Sequence, residues 1–302
     1  MEKFFFIEDD LVDSRLDRWF KRHVCKVPQS LIEKNIRKGN IKVNDKKIKS
    51  SYRLKKNDKI KIKDLNIFIK KKEKAKFVYK ATKKELSLTS NIFIEDNENF
   101  VVINKPSGIA VQSGTKSSRN ILDILRGTKE FSNSTPFSVH RLDKETTGIL
   151  IVAKNRKFAQ LFTSLFRIRK IHKIYLCIVI GVLDKNKGTL IDNLSHYEGK
   201  NKIISKAITH FTVLDSNNNY SLLKLNPETG RKHQLRRQLL KRSCPVLGDS
   251  KYRISDNYSK KNNLMLHAYK INFSIAGIKY SFSAELPSIF KDTLKQKYLK
   301  IF

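Results

Sequence analysis

Cysteine is scarce in this chain and scattered: Cys25, Cys177 and Cys244 are odd in number, far apart and never spaced as C-x-x-C. That pattern excludes a disulfide framework and a thiolate metal site, and leaves reduced thiols. Long apolar runs are lacking too. None reaches the roughly 18 consecutive residues that a membrane span requires, because a Lys or another polar residue interrupts each run within ten positions. The opening residues, MEKFFFIEDD, carry acids where a secretory or transit peptide carries basic residues, so the expectation is a cytoplasmic protein with no membrane partner.

Acidic residues are the other shortage. Only 28 Asp and Glu face 63 Lys and Arg in 302 residues, a formal charge of +35. Solubility asks for far less, so a polyanionic partner is implied, and without a membrane that partner is nucleic acid. Several catalytic signatures are missing as well. The seven His make no H-E-x-x-H, and the small residues from Gly108 to Ser118 lack the G-x-x-x-x-G-K-S/T spacing that cradles phosphates. His140-Arg141-Leu142-Asp143 differs from the kinase H-R-D by the intervening Leu142, with neither G-x-G-x-x-G before it nor D-F-G after it. Neither a metal nor a cofactor is implied.

What is present is enough apolar surface, 39% with 18 Phe and 10 Tyr, for a sizeable core, and a length that favours two folded units. Residues 13–64 hold 18 Lys and Arg against 6 Asp and Glu. Within them Leu16, Trp19, Phe20 and Val24 recur at helical spacing after Ser14, a candidate cap, and Pro28 opens a second helix through Leu31, Ile32 and Ile36 that Gly39 stops. Ile41 and Val43 then alternate with polar residues before an Asn44-Asp45 turn, and Ile48, Leu54, Ile60 and Ile62 mark further short strands. A Lys-rich stretch from Lys70 to Lys76 reads as a linker, placed at 65–90.

From about residue 91 to 302 strands outnumber helices. They are expected at 92–94, 100–104, 149–153, 173–180, 210–214, 221–225, 269–274 and 279–284, with helices near 119–126, 155–168 and 231–241. The fold class is therefore α+β: a small two-helix-plus-sheet RNA-binding domain, then a mixed, mainly antiparallel domain. In the stretch FSVHRLDKETTGILIVAKN, residues 137–155, an apolar strand leads into Asp143, and Gly148 permits a return into the apolar run Ile149–Val152. A carboxylate on a loop between two core strands suits a reactive group. A turn-capping Asp or an Arg141–Asp143 pair is the plainer alternative. Arg231, His233 and Gln234 fall at the start of the expected 231–241 helix, where positive side chains and N–H groups favour phosphate.

Two resemblances then bear on these residues. The segment VPQSLIEKNIRKGNIKVNDKKIKSSYRLKKNDKIKI resembles the small RNA-binding module shared by a small-subunit ribosomal protein and tyrosyl-tRNA synthetases. It implies that Arg15, Lys34, Arg37 and Lys38 meet RNA phosphates. HRLDKETTGILIVAKN is similar to the signature of the RluA-type pseudouridine synthases, followed in the family's order by KIYLCIVIG at 173–181, NPETGRKHQLR at 226–236 and LMLHA at 264–268, with INKPSGIAVQSG at 103–114 ahead of it. The pairing with the small module is most similar to members that act on large-subunit ribosomal RNA.

That resemblance implies isomerisation of uridine to pseudouridine with Asp143 as the catalytic carboxylate, acting either by covalent attack or by removing a ribose proton. It implies Tyr175 stacking under the flipped base, Arg236 pairing with Asp143 and keeping it ionised, and Arg141 and His140 as RNA contacts, with Arg141 filling the gap the base leaves in the RNA. Lys105 and Pro106 fall on a loop at the cleft edge. Lys232 and Arg237 stand where the family usually has Thr and Val, and Gln238 where it often has His, departures that bear on RNA positioning rather than on chemistry. No obligate protein partner is implied and a monomer is expected. A non-catalytic RNA-binding or assembly factor, other ribosomal sites and transfer RNA are the competing readings.

Overall fold

Seven consecutive residues, Thr147–Ala153, are buried without interruption, as a strand is when both faces of its sheet are covered. The computed structural model describes residues 2–25, 27–65, 68, 82, 91–112, 119–198, 201–254 and 263–301. They fall into two compact units, Met1–Phe77 and Val78–Phe302. The Lys70–Lys76 linker lies outside the described residues.

In the first unit α1 (Leu16–His23) and α2 (Gln29–Arg37) pack on a three-stranded antiparallel sheet of β1 (Lys3–Phe6), β2 (Ile41–Val43) and β3 (Lys59–Ile62), ordered β1-β3-β2. The helical spacing of Leu16, Trp19 and Phe20, and of Ile32 and Ile36, turns one face of each helix onto Ile41, Val43, Ile60 and Ile62. Asn44 and Asp45 both take left-handed φ, +50° and +57°, in a tight turn closed by paired bonds between Val43 and Lys46.

Three expectations are corrected here. The unit reaches back to Lys3 rather than starting at residue 13, because β1 pairs with β3 along its whole length. Ser14 does not cap α1: its hydroxyl donates to the Leu11 carbonyl at 2.5 Å and Arg15 takes the cap position. Ile48 and Leu54 lie outside the strands, in a loop that Leu54 pins by burying its side chain and bonding Ser14.

The second unit is a ten-stranded mixed sheet with helices. Its strands are β4 (Phe93–Asp96), β5 (Phe100–Lys105), β6 (Phe137–Ser138), β7, which is the buried Thr147–Ala153 run, β8 (His172–Ile180), β9 (Lys187–Glu198), β10 (Asn201–Ser216), β11 (Tyr220–Pro227), β12 (Leu266–Ile275) and β13 (Ile278–Ser283). The main order is β4-β5-β7-β12-β8-β11-β10-β9, with β6 against β7 and β13 against β12. The helices are α3 (Ile121–Leu125), α4 (Arg156–Arg167), α5 (Gln234–Leu240) and α6 (Ser288–Gln296). Among the described residues no helix is long and apolar enough to cross a membrane.

Among the described residues every pairing between these strands is antiparallel except one: β7 and β12 run parallel, Thr147 opposite His267 and Gly148 opposite Ala268. Gly148 makes that seam possible. It takes φ of +104°, and a Cβ there would lie 2.2 Å from the Ala268 carbonyl oxygen. On one side of β5 and β7, Val101, Ile103, Leu150 and Val152 pack with α3; on the other, Phe100, Ile149 and Ile151 pack with Phe162 of α4 and Phe273 of β12. Asn120 and Asn155 start α3 and α4 by accepting the N–H of Asp123 and Phe158. The expected 210–214 strand is the end of a much longer one, paired with β9 in a hairpin that the expected strands lacked.

Candidate active site

Asp143 lies on the loop between β6 and β7, and Thr146 N–H closes a turn onto its carbonyl at 3.2 Å. Its carboxylate is one quarter exposed at the floor of a cleft of about 250 Å³ that Tyr175 of β8 and the 227–236 segment also line. From α5, Arg236 Nη1 donates to Asp143 Oδ2 at 3.1 Å. His233 brings Nε2 to 3.6 Å from Oδ1, a polar contact longer than a hydrogen bond.

Arg236 is itself held from behind. Its Nε and Nη2 donate as a fork to both oxygens of Asp249, at 2.6 and 2.7 Å. The Asp249 side chain is fully buried and also accepts the N–H of Lys251 and Tyr252. Burial pushes its carboxyl up, but Arg236 and the two N–H groups together hold it below the ordinary value. The Arg236 guanidinium lies 5.1 Å from the centre of the Tyr252 ring, and the Tyr252 hydroxyl meets His233 Nδ1 at 2.8 Å. One planar cation thus joins a buried carboxylate to an accessible one, while His233, in the left-handed conformation at φ +53°, turns its ring back to the same carboxylate.

Tyr175 packs between two core clusters with its ring on the cleft. Burial, and then the Asp143 charge, push its phenol well above the usual range, so it stays neutral at physiological pH. Burial pushes Lys173, on the same strand and lining the same cleft, down from its ordinary value, with Arg169 adding to the shift. Arg141 is exposed and lines the cleft; Asp143 faces Arg236 and His233 rather than Arg141. Arg231 lies on the cleft wall with Nε on the Lys206 carbonyl at 3.2 Å.

One expected RNA contact is corrected, and a second, Gln234, lines the cleft with its amide already engaged. His140 turns its ring away from the cleft: Nε2 accepts the Ile151 N–H at 2.9 Å and the ring stacks 4.6 Å from Phe166. Burial, with Lys173 adding to it, holds its pKa down at about 3, so it is a neutral prop for β7. Gln234 is buried and fully engaged, donating to the Ile208 carbonyl and Thr209 and accepting from Thr229 and the Arg231 N–H. It fixes the 229–231 turn. The expected 231–241 helix is shorter, Gln234–Leu240, because of the left-handed turn at His233.

The unusual residues of this segment build scaffold. Gln238 is fully buried between Thr209, Asp192 and the carbonyls of Leu190 and Ala207, and Arg237 donates to the Ser195 carbonyl, tying α5 to the β9–β10 hairpin. Lys105, expected at a cleft edge, is entirely buried: Nζ donates to the carbonyls of Pro106, Ile109 and Lys144, the last being the residue after Asp143. Burial pushes its pKa down to about 8. In the first unit Lys34, Arg37 and Lys38 are exposed on α2 and its end, whereas Arg15 forks onto Asp17, which reduces what it offers a phosphate. Asp249, Tyr252 and Lys173 escaped the sequence reading. An Asp in a G-D-S turn carries no mark of its burial, and only the later position of Arg236 gives it a partner.

The model of the RNA pseudouridylate synthase family matches residues 99–241, the span that carries Asp143, Tyr175 and Arg236. A ribosomal large subunit pseudouridine synthase C of Rickettsia felis is 34% identical over 293 residues, covering 93% of this chain and 96% of the relative. The chain belongs to the RNA pseudouridylate synthase family. A ribosomal large subunit pseudouridine synthase C of Buchnera aphidicola subsp. Schizaphis graminum is 32% identical over 96% of this chain and 95% of its own length. Among solved structures, human RNA pseudouridylate synthase domain containing 4 superposes with a TM-score of 0.62 at 26% identity, over 72% of this chain and 96% of that one. The mainly antiparallel sheet is thus this family's fold.

Proposed function

We propose that this protein isomerises specific uridines to pseudouridine in large-subunit ribosomal RNA, in the cytoplasm, with Asp143 as its catalytic carboxylate. The observation that carries the reading is the Arg236–Asp143 hydrogen bond at the floor of a cleft walled by Tyr175. The likeness to two large-subunit synthases over more than nine tenths of the chain supports the choice of substrate.

The reaction breaks the bond from ribose C1′ to N1, turns the uracil and forms a bond from C1′ to C5, after which C5 loses its proton. A target stacked in RNA must first be extruded, at a cost of a few kcal/mol that is least in loops. Arg141, exposed beside the cleft, is suited to fill the gap, since a guanidinium plane stacks on bases. Tyr175 offers the extruded base an apolar face and a neutral hydroxyl. Asp143 then serves as nucleophile or as base toward the sugar, and Arg236 fixes which way its oxygens point. Arg231, Lys34, Arg37 and Lys38 supply backbone contacts that add affinity without sequence choice.

The test is release of tritium from C5 of uridine in large-subunit ribosomal RNA taken from a strain lacking the gene, followed by mapping of the pseudouridines that the purified protein restores. Binding without tritium release would assign a structural role in ribosome assembly. Release from transfer RNA alone would move the substrate.

A further inference from the structure

The three phenylalanines of β1 do not share one fate. Phe5 turns inward and packs edge-on against Trp19, ring centres 5.3 Å apart, while Phe4 and Phe6 turn outward and stay 45% and 65% exposed. Strand alternation dictates that split, but not the choice of two aromatic rings for the outward positions. Their neighbours across the sheet are lysines: Phe4 lies opposite Lys61 and Phe6 opposite Lys59, and Lys42 of β2 flanks Lys61 on its other side. Two ammonium groups lie across the Phe4 ring, Lys59 Nζ 4.5 Å and Lys61 Nζ 5.6 Å from its centre. Glu2 is paired with Lys61 at 2.9 Å, both near the surface; such a pair is worth little in water and yields readily to a phosphate.

We infer that this outer face of the small sheet is a second RNA site, a stacking platform for single-stranded nucleotides, on the opposite side of the sheet from the helices that carry Lys34, Arg37 and Lys38. Exposed rings interleaved with cations on a strand surface suit bases and phosphates together, because every base has a face to stack and every linkage a charge to meet. Phe4 and Phe6 are one two-residue strand repeat apart, about 6.7 Å, so that separate, unstacked bases of one strand can each meet one ring. A duplex hides its faces and gains only the lysine term. An apolar membrane anchor does not require two ammonium groups over the Phe4 ring.

The inference rests on RNA as the partner of the small unit, and its readout is local binding rather than turnover, so its failure and failure of the isomerase reading are distinguishable. In the full chain, Phe4→Trp places a fluorophore on the platform, whereas the native Trp19 is buried. A short single-stranded oligouridylate quenches the new emission, and an RNA duplex of equal charge does not. Phe4→Ala with Phe6→Ala weakens the oligouridylate at least about tenfold and leaves its salt slope unchanged. Lys59→Gln lowers that slope by about 0.7. Because the replaced side chains lie on the surface, the melting midpoint stays at the parent value. Emission at position 4 that is already shielded in the free protein, and becomes so with rising protein concentration, identifies a protein partner and overturns the proposal. Quenching by anionic phospholipid vesicles but not by the oligouridylate assigns the face to a membrane and overturns it too. Equal losses for strand and duplex in the double Ala variant reduce the face to a charge patch and overturn stacking.

Discussion

Arg236 grips Asp249 with two parallel hydrogen bonds, at 2.6 and 2.7 Å, and thereby spends only Nη1 on Asp143. The inner carboxylate is the anchor and the outer one is free to react. A single unanchored guanidinium would swing with the substrate and lose the fixed orientation that catalysis requires.

Asp249→Asn therefore lowers kcat far more than it raises KM. Replacing the inner carboxylate leaves a buried guanidinium short of charge, which costs on the order of 3–5 kcal/mol of stability, and lets Nη1 drift, which costs about 100-fold in rate for an error near 1 Å. Steady-state tritium release with denaturant titration measures both. Arg236→Lys keeps the positive charge without the fork and lowers kcat as well. Parent-level kcat with lysine would show that charge alone matters.

Asp143→Asn abolishes turnover, by about 10²–10⁴-fold or more, and leaves RNA affinity within a factor of about two, since the basic surfaces are untouched. Filter binding beside tritium release checks this pair of outcomes. Parallel loss of both would return Asp143 to a structural role.

Gly148→Ala does not give folded protein. The added methyl would lie 2.2 Å from the Ala268 carbonyl at a φ of +104°, in a strand with no free side to yield toward. The cost exceeds the about 4–5 kcal/mol that marks an exceptional substitution. Gly108→Ala, where a Cβ meets nothing within 4 Å but φ is also positive, is the milder control at about 1–2 kcal/mol. Circular dichroism and soluble yield separate the two.

Stability falls as the solution is acidified from about pH 6.5 toward pH 4. His267 is fully buried between the Thr147 hydroxyl and the Ala284 carbonyl, and burial holds its pKa down at about 4 against an unfolded value of 6.5. Between those values the unfolded chain binds the proton and the folded one does not, so stability rises with pH through that window and is lost as pH drops. His267→Gln flattens this part of the urea-unfolding profile. An unchanged slope would assign the acid sensitivity elsewhere.

Lys105→Met removes the buried ammonium that three carbonyls share and takes this donor from Pro106 and Ile109, while the Lys144 carbonyl keeps the Gly108 N–H, for a loss of about 2–4 kcal/mol. Because one of the three belongs to Lys144, next to Asp143, kcat falls with stability. Thermal melts and single-turnover rates follow the two effects separately.

Much of this was legible in the chain because local chemistry and global packing agreed. Apolar spacing in α1, α2 and α4 and the apolar runs of β5, β7 and β8 announce elements whose buried faces are continuous. The β9–β10 hairpin was hidden because its residues alternate with Lys, Asn and Ser and bury only one side. Motif order brought Asp143, Tyr175, Arg141, Arg231, His233 and Arg236 to one cleft. The same neighbourhood misled for His140, since a polar residue inside a motif looks the same from the sequence whether it faces the cavity or satisfies the backbone behind it. Lys105 shows the converse: a lysine on a Pro-Ser-Gly loop looks like surface until its three acceptors are known.

The parallel seam also orders events during synthesis. The sheet of the first unit is complete once Ile62 has been made, whereas β7 and β8 both await β12 as the neighbour that joins them, which the ribosome delivers only with residues 266–275. Since domains fold as units while the chain emerges, a growing polypeptide completes its small basic unit roughly two hundred residues before the strand that joins the two halves of the large sheet is made.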